Sequence, residues 1–101
     1  MITATAVRLA PKEWERIIQL GADRHIEEVN SELDRAREKI LEFETKYKMS
    51  FTRLEQVGLP DDAGLEEHED YVEWSGWEGY AVELKEKLDN LQALVANSNG
   101  G

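Results

Sequence analysis

The chain has 101 residues, of which 22 are acidic and 12 are basic, and its formal net charge is -10 at neutral pH. This length suits one domain with one modest core. Charged side chains make up 34% of the residues, and no apolar run approaches the roughly 18 to 20 residues of a transmembrane helix, which excludes a membrane-spanning protein.

Cysteine is absent, which excludes disulfide bonds and thiolate metal sites and suits a reducing compartment. The first nine residues lack the basic start and long apolar run of a signal peptide. We therefore expect a cytoplasmic protein without a membrane contact.

The negative charge is concentrated in one block. Residues 61–78 carry eight acidic side chains and no Lys or Arg, whereas residues 1–60 have 11 acidic and 10 basic side chains. Such a block repels phosphate, which argues against nucleic acid as the partner, and it could attract a basic protein. A solvated acidic segment that only aids solubility is the alternative.

The N-terminal third predicts a short extended arm followed by a helix. Residues 1–9 alternate in the manner of a strand, and Pro11 suits the first position of a helix. An apolar face with helical spacing follows in residues 14–18. Gly21 leaves two possibilities open, one long bent helix or two helices that meet near this glycine.

The middle of the chain predicts a long helix, a break and a short helix. Seven apolar residues are spaced alternately three and four apart, which is a heptad seam of three repeats: Ile26, Val29, Leu33, Ala36, Ile40, Phe43 and Tyr47. Residues 48–50 break this helix. Ser50 is the expected N-cap of a short helix that Gly58 ends, and residues 61–64 are expected to form a loop.

A second seam has the same spacing and the same length: Trp74, Trp77, Ala81, Leu84, Leu88, Leu91 and Val95. Two equal seams joined by a short connection predict an all-α fold, an antiparallel, coiled-coil-like helical hairpin with a short connecting helix. We assign the extended arm to residues 1–9, one helical domain to residues 10–96 and a disordered tail to residues 97–101. Because two helices form a marginal core, we expect a homodimer or a hetero-complex.

Signs of catalysis or of a cofactor are thin. His25 and His68 lie in charged surroundings typical of exposed side chains, and no nucleophile motif or glycine-rich phosphate loop is present. The acidic block lacks the spacing of a calcium loop and the Glu-x-x-His pairs of a di-iron bundle. We therefore predict a protein that is not an enzyme and has no metal site or other cofactor.

The strongest candidate site is the acidic block together with the aromatic residues beside it. Tyrosine and tryptophan are common at the centres of protein interfaces. The candidate partner-binding residues are Glu66, Glu67, Glu69, Asp70, Tyr71, Glu73, Trp74, Trp77 and Tyr80. For Trp74 and Trp77 the alternative is that they simply begin the core seam, whereas Tyr71 and Tyr80 fall outside it.

Residues 41–51, 59–62 and 70–77 together resemble a group of small bacterial and archaeal helical proteins. These have a helix ending in Phe-Glu-x-Lys-Tyr-Gly-Met-Ser, an acidic linker and an Asp-x-x-Glu-Trp element, and are often regarded as antitoxin-like members of toxin–antitoxin pairs. The matching positions are Phe43, Glu44, Lys46, Tyr47, Met49, Ser50, Asp70, Glu73 and Trp74. Lys48 stands where the group has glycine, and a left-handed helix stop there would strain a lysine. The resemblance implies an antitoxin-like protein that neutralises a basic partner, such as a toxin.

Two alternatives remain open at this point. Residues 5–14 are similar to the strand and first helix of ribbon–helix–helix repressors, which implies a DNA-binding autoregulator that acts through the N-terminal region. In the strand that would contact DNA, only Thr3, Thr5 and Arg8 could supply polar or basic side chains. The second alternative is a purely structural coiled-coil dimer whose acidic block serves solubility alone.

Overall fold

The computed structural model describes residues 10–99, which form three helices: α1 (Pro11–Tyr47), α2 (Phe51–Val57) and α3 (Leu65–Asn99). The two long helices pack antiparallel and the short helix lies between them in the chain. The prediction of an all-α antiparallel hairpin with a short connecting helix is therefore confirmed. The arm predicted for residues 1–9 lies outside the described residues.

Helix α1 is one continuous element of 37 residues. Pro11 is the first residue of the helix and follows Ala10, which has an extended conformation. Proline suits this position because a backbone N–H in the first turn has no hydrogen-bond partner within the helix. The helix continues through Gly21, which resolves the choice between one helix and two. The turn that a ribbon–helix–helix protein needs between its helices is consequently absent from residues 20–23, which are helical.

The break after α1 follows from backbone conformation. Lys48 has φ 56° and ψ 38°, the left-handed conformation, in which a lysine is strained. Ser50 then caps α2, because its hydroxyl oxygen accepts a hydrogen bond of 3.1 Å from the backbone N–H of Arg53. Gly58 ends α2 with φ 76°, as expected from its position.

The two predicted seams pack on each other within one chain. The central core combines Val29, Leu33 and Ala36 of α1 with Leu84 and Leu88 of α3, and the partly buried side chains beside them are Ile26, Trp77, Ala81 and Leu91. The α1 seam also starts one step earlier than predicted, since Ala22 is buried. The antiparallel direction follows from the connection, because residues 48–64 are too few to return the chain to the far end of α1.

A second core closes the hairpin near the connection. Its buried members are Phe43, Phe51, Leu54 and Trp74. Phe51 and Leu54 come from α2, which therefore covers the aromatic end of the two long helices. This cover adds a third element to the core at one end of the hairpin.

Helix α3 differs from the expectation at its C-terminal end. It continues to Asn99, into the segment assigned to a disordered tail. A Cβ atom placed on Gly76 or Gly79 inside this helix would meet nothing within 4 Å, so no neighbouring group requires glycine at either position. Over residues 10–99, none of the helices has the length and apolar character needed to cross a bilayer.

Candidate functional site

The acidic block occupies the loop before α3 and the first half of that helix. Glu66 and Glu67 lie in its first turn, where the helix dipole favours negative charge. Glu67 has a further local role, because its carboxylate accepts a hydrogen bond of 3.0 Å from the backbone N–H of Gly64. Glu67 therefore helps to start α3.

Asp70 and Glu66 are neutralised within the chain by a cation from the end of α1. Lys46 donates from Nζ to Asp70 at 2.6 Å and to Glu66 at 3.1 Å. The Tyr47 hydroxyl donates to the same Asp70 oxygen at 2.5 Å. These contacts join the C-terminus of α1 to the N-terminus of α3, so the carboxylate of Asp70 is a structural group.

The protonation equilibria agree with that geometry. Hydrogen bonds from Lys46 and from Tyr47 lower the pKa of Asp70 below its ordinary value. Burial, reinforced by the hydrogen bond to Asp70, raises the pKa of Tyr47 to about 12. The hydrogen bond to Asp70, followed by that to Glu66, raises the pKa of Lys46. At neutral pH Asp70 is therefore ionised, Tyr47 is a neutral phenol and Lys46 is protonated.

Four other members of the block face solvent. Asp61, Asp62, Glu69 and Glu73 are exposed, and no ion pair joins any of them to a cation among residues 10–99. Glu69 and Glu73 are one helical turn apart on α3, so their charges reinforce each other at the surface. This pair is the exposed centre of the negative charge.

Trp74 belongs to the core. None of its surface is exposed, and its ring stacks on Phe43 and Tyr47 at centroid distances of 5.6 and 5.8 Å. Phe51 of α2 packs against it at 5.3 Å in a tilted arrangement. The expectation that Trp74 contacts a partner is therefore corrected, because a tryptophan at a heptad position fills the interior before it can serve a surface.

The other three aromatic candidates are partly accessible. Tyr71 stacks on Phe51 at 5.6 Å and is half-buried. Trp77 is half-buried, and its ring and that of Tyr80 are in an edge-to-face arrangement with their centroids 6.1 Å apart. Tyr80 is 38% exposed, and its hydroxyl donates to Glu32 of α1 at 2.5 Å.

Trp77 and Tyr80 line a shallow groove between the two long helices. The guanidinium carbon of Arg35 lies 5.9 Å from the centre of the Trp77 ring, within the range of a cation–π contact. Glu73 borders the groove on the α3 side, and Lys39 borders it on the α1 side. The groove thus has an acidic wall and a basic wall with an aromatic floor.

The sequence analysis did not identify Lys46 and Tyr47 as site residues. Lys46 was noted only as part of the family resemblance, and Tyr47 only as part of that resemblance and as the last position of a seam. Their contacts with Asp70 and Glu66 determine which carboxylates of the acidic block remain without a partner. A lysine in the last turn of a helix is a favourable C-terminal charge by itself. Only the turn through residues 48–64 brings it to Asp70.

Glu78 is a further carboxylate near the core. Burial raises its pKa, and the facing carboxylate of Glu44 adds to the increase. The Trp74 indole N–H acts in the opposite direction, but its Nε1 atom is buried without a hydrogen-bond partner, so we regard this opposition as weak. The negative charge of Glu78 therefore destabilises the folded state at neutral pH.

The described residues contain no cluster of three or more His, Asp or Glu side chains able to hold a metal ion. His25 and His68 are exposed, as expected, and His25 is hydrogen-bonded to Glu28 at 3.3 Å. The surface chemistry that remains on α3 is that of carboxylates and aromatic rings.

No protein-family model, no curated protein and no solved structure matches this chain. The fold and the surface together define the class of the molecule as a helical hairpin with an acidic end. Its resemblance to antitoxin-like proteins therefore remains an expectation from the motifs alone.

Proposed function

We propose that this protein is a non-enzymatic acidic interaction module that binds a basic partner protein through the first half of α3. The observation that carries the proposal is the exposed pair Glu69 and Glu73, which has no ion-pair partner over residues 10–99. Trp77 and Tyr80 continue the same face of the helix, because residues separated by three or four positions lie above one another.

The charged and the aromatic residues are expected to contribute differently to this interface. Exposed carboxylates steer a basic protein and fix its orientation, while most of the affinity comes from aromatic side chains that become buried. The cations of the partner would meet Glu69 and Glu73. Its apolar groups would lie over the exposed parts of Trp77 and Tyr80, with Arg35 and Lys39 at the border of the contact.

More specifically, we propose a cytoplasmic, antitoxin-like protein that neutralises its partner within a hetero-complex. The support is the motif resemblance of residues 41–77 together with the surplus of negative charge. A toxin that acts on RNA needs a positively charged surface. An acidic hairpin that covers such a surface would block it without any chemistry of its own.

The test is affinity capture of the tagged protein from its native host at low and at high salt, followed by binding measurements with the purified partner. We expect one stoichiometric basic protein that is lost at high salt, because exposed ion pairs are screened by ions. Replacement of Glu69 and Glu73 by glutamine should then weaken binding by roughly tenfold or more, measured by calorimetry.

The chain offers a matched control for this variant. Asp34→Asn with Glu38→Gln removes the same two charges at the same spacing from an exposed face of α1, and neither residue has an ion-pair partner among residues 10–99. The control should bind as the unmodified protein does. Recovery of the protein alone, or equal affinities for both variants, would contradict the proposal.

A further inference from the structure

The N-terminal two turns of α1 carry an apolar stripe that α3 does not cover. Trp14, Ile17 and Ile18 are 47%, 51% and 46% exposed. Gly21 completes the stripe, and the space where its Cβ would lie is empty to 4 Å. The positions i, i+3, i+4 and i+7 share one face of a helix, so these four residues form a single surface.

This stripe is distinct from the seam that holds the hairpin together. The intrachain core begins at Ala22 and Ile26 of α1, whose side chains are buried or partly buried. At about 100° per residue, the middle of the stripe lies roughly a quarter of a turn from that seam. A second helix can therefore reach the stripe while α3 remains in place.

We propose that a second copy of this chain packs on the stripe in the antiparallel direction, with a two-fold axis between Ile17 and Ile18. In that register Ile17 of one copy lies opposite Ile18 of the other. Trp14 then lies opposite Gly21 of the second copy, so the largest side chain meets the only position without one. Symmetric dimers need such a self-complementary patch, because each residue must fit its counterpart.

Charge beside the stripe selects the same arrangement. Glu13 and Arg24 are 11 residues apart, which is three turns and about 20°, so both lie on one flank, next to Ile17. In an antiparallel pair, equivalent flanks face each other, which brings Glu13 against Arg24 of the second copy. In a parallel pair the unlike flanks would face each other instead, and Glu13 would not meet Arg24.

The charges are available for this contact. Arg24 pairs only with Glu28 among residues 10–99, at 3.6 Å and with both side chains mostly exposed, which is a weak interaction that can be exchanged. Exposed large apolar side chains grouped in this way are typical of an interaction surface. The complementary charge and shape identify a second copy as the occupant.

The dimer would place the two acidic surfaces far apart. From the two-fold axis to Tyr47 is roughly 45 Å along each α1, so the two ends lie about 90 Å from each other. Each end remains free for a partner. The inference therefore does not depend on the proposed function, and a monomeric variant should bind a partner as tightly per site as the dimer does.

The first experiment is sedimentation equilibrium of the full chain over a range of concentrations. We expect a monomer–dimer equilibrium that Ile17→Glu weakens by roughly 100-fold, since two half-exposed isoleucines per dimer lose their cover. The matched control is Leu41→Glu, because Leu41 is 60% exposed on the opposite face of α1 and lies about 35 Å along the helix from the two-fold axis. A monomer at every concentration, or equal effects of both variants, would overturn the proposal.

The second experiment tests the register, and it uses the absence of native cysteine. Glu13→Cys chains and Arg24→Cys chains are mixed, equilibrated and treated with a short bis-maleimide. The mixed sites lie roughly 3 Å apart along the axis, whereas like sites lie about 13 and 20 Å apart. Cross-links should form in the mixture only. Cross-linking of each variant with itself, without gain in the mixture, would mean a parallel pair and would overturn the register.

Discussion

The carboxylate of Asp70 in α3 accepts a hydrogen bond of 2.6 Å from Nζ of Lys46 in the last turn of α1. This ion pair ties the end of one long helix to the start of the next across the 17-residue connection of residues 48–64. It also divides the acidic block. Asp70 and Glu66 serve the fold, and the exposed carboxylates around them retain their charge for other partners.

Asp70→Asn should lower the stability of the hairpin at pH 7. The amide removes the charge that Lys46 and Tyr47 are placed to bind, and the Asp70 side chain is only 20% exposed. Urea unfolding followed by circular dichroism measures the change. Glu69→Gln is the control, because the neighbouring carboxylate is exposed without an ion-pair partner over residues 10–99, and its removal should leave the midpoint nearly unchanged.

The difference between Asp70→Asn and the unmodified protein should depend on pH. The folded-state pKa of Asp70 lies below its ordinary value of 3.8, so the carboxylate stabilises the fold above about pH 4. That contribution is lost as the pH falls through the folded-state pKa. The two proteins should converge as the pH falls, and a gap that keeps its full size from pH 7 into acid would contradict this account.

Glu78→Gln should have the opposite effect at neutral pH. Burial and the facing carboxylate of Glu44 raise the folded-state pKa of Glu78 above its ordinary value of 4.5. Stability is therefore lost as the pH rises from 4.5 through that raised pKa. The amide should gain about 0.5 kcal/mol at pH 7, allowing for solvent screening, and nothing at pH 4. Unfolding midpoints at the two pH values provide the comparison.

Trp74→Ala should unfold the aromatic end of the hairpin. A fully buried indole that contacts three other rings loses about 3 to 5 kcal/mol on truncation, which is a large share of the stability of a small domain. Tyr80→Ala should cost about 1 kcal/mol or less, because Tyr80 is partly exposed. Near-ultraviolet circular dichroism and urea titration distinguish them, and equal losses would assign Trp74 to the surface.

Lys48→Gly should stabilise the protein. Lys48 is the only described residue other than glycine with a positive φ, at 56°, and a side chain in the left-handed region costs about 1 kcal/mol relative to glycine. Thermal unfolding measures the gain. The opposite kind of change at the end of α2, Gly58→Ala, should lose more than this, since Gly58 has φ 76° and ψ 169°, a conformation that essentially only glycine adopts, although nothing lies within 4 Å of the added methyl group.

Gly79→Ala should stabilise α3 by about 1 kcal/mol. Gly79 lies inside the helix with open space around its missing Cβ, so alanine gains helix propensity without a clash. The increase should appear in the urea midpoint. A loss of stability would contradict this expectation, because it would require a close contact that the hairpin does not have at this position.

Much of the fold could be read from periodicity. Apolar spacing of three and four at residues 26–47 and 74–95 predicts two helices of matched length, because only one face of each can be buried. Ser50 and Gly58 mark the short helix through capping and backbone preference. The end of α3 was predicted too early: Asn97 belongs to a run of poor helix formers, but the helix that packs on α1 through Leu84, Leu88 and Leu91 continues into it.

The sequence by itself determined the helices, their breaks and the location of the negative charge, because these depend on local spacing and composition. Tertiary structure decided which charges and rings remain accessible. Trp74 became interior once Phe43 and Phe51 met it, and Asp70 became structural once Lys46 reached it. A carboxylate or an indole acquires its role from the groups that desolvate or neutralise it, and those groups come from a different helix.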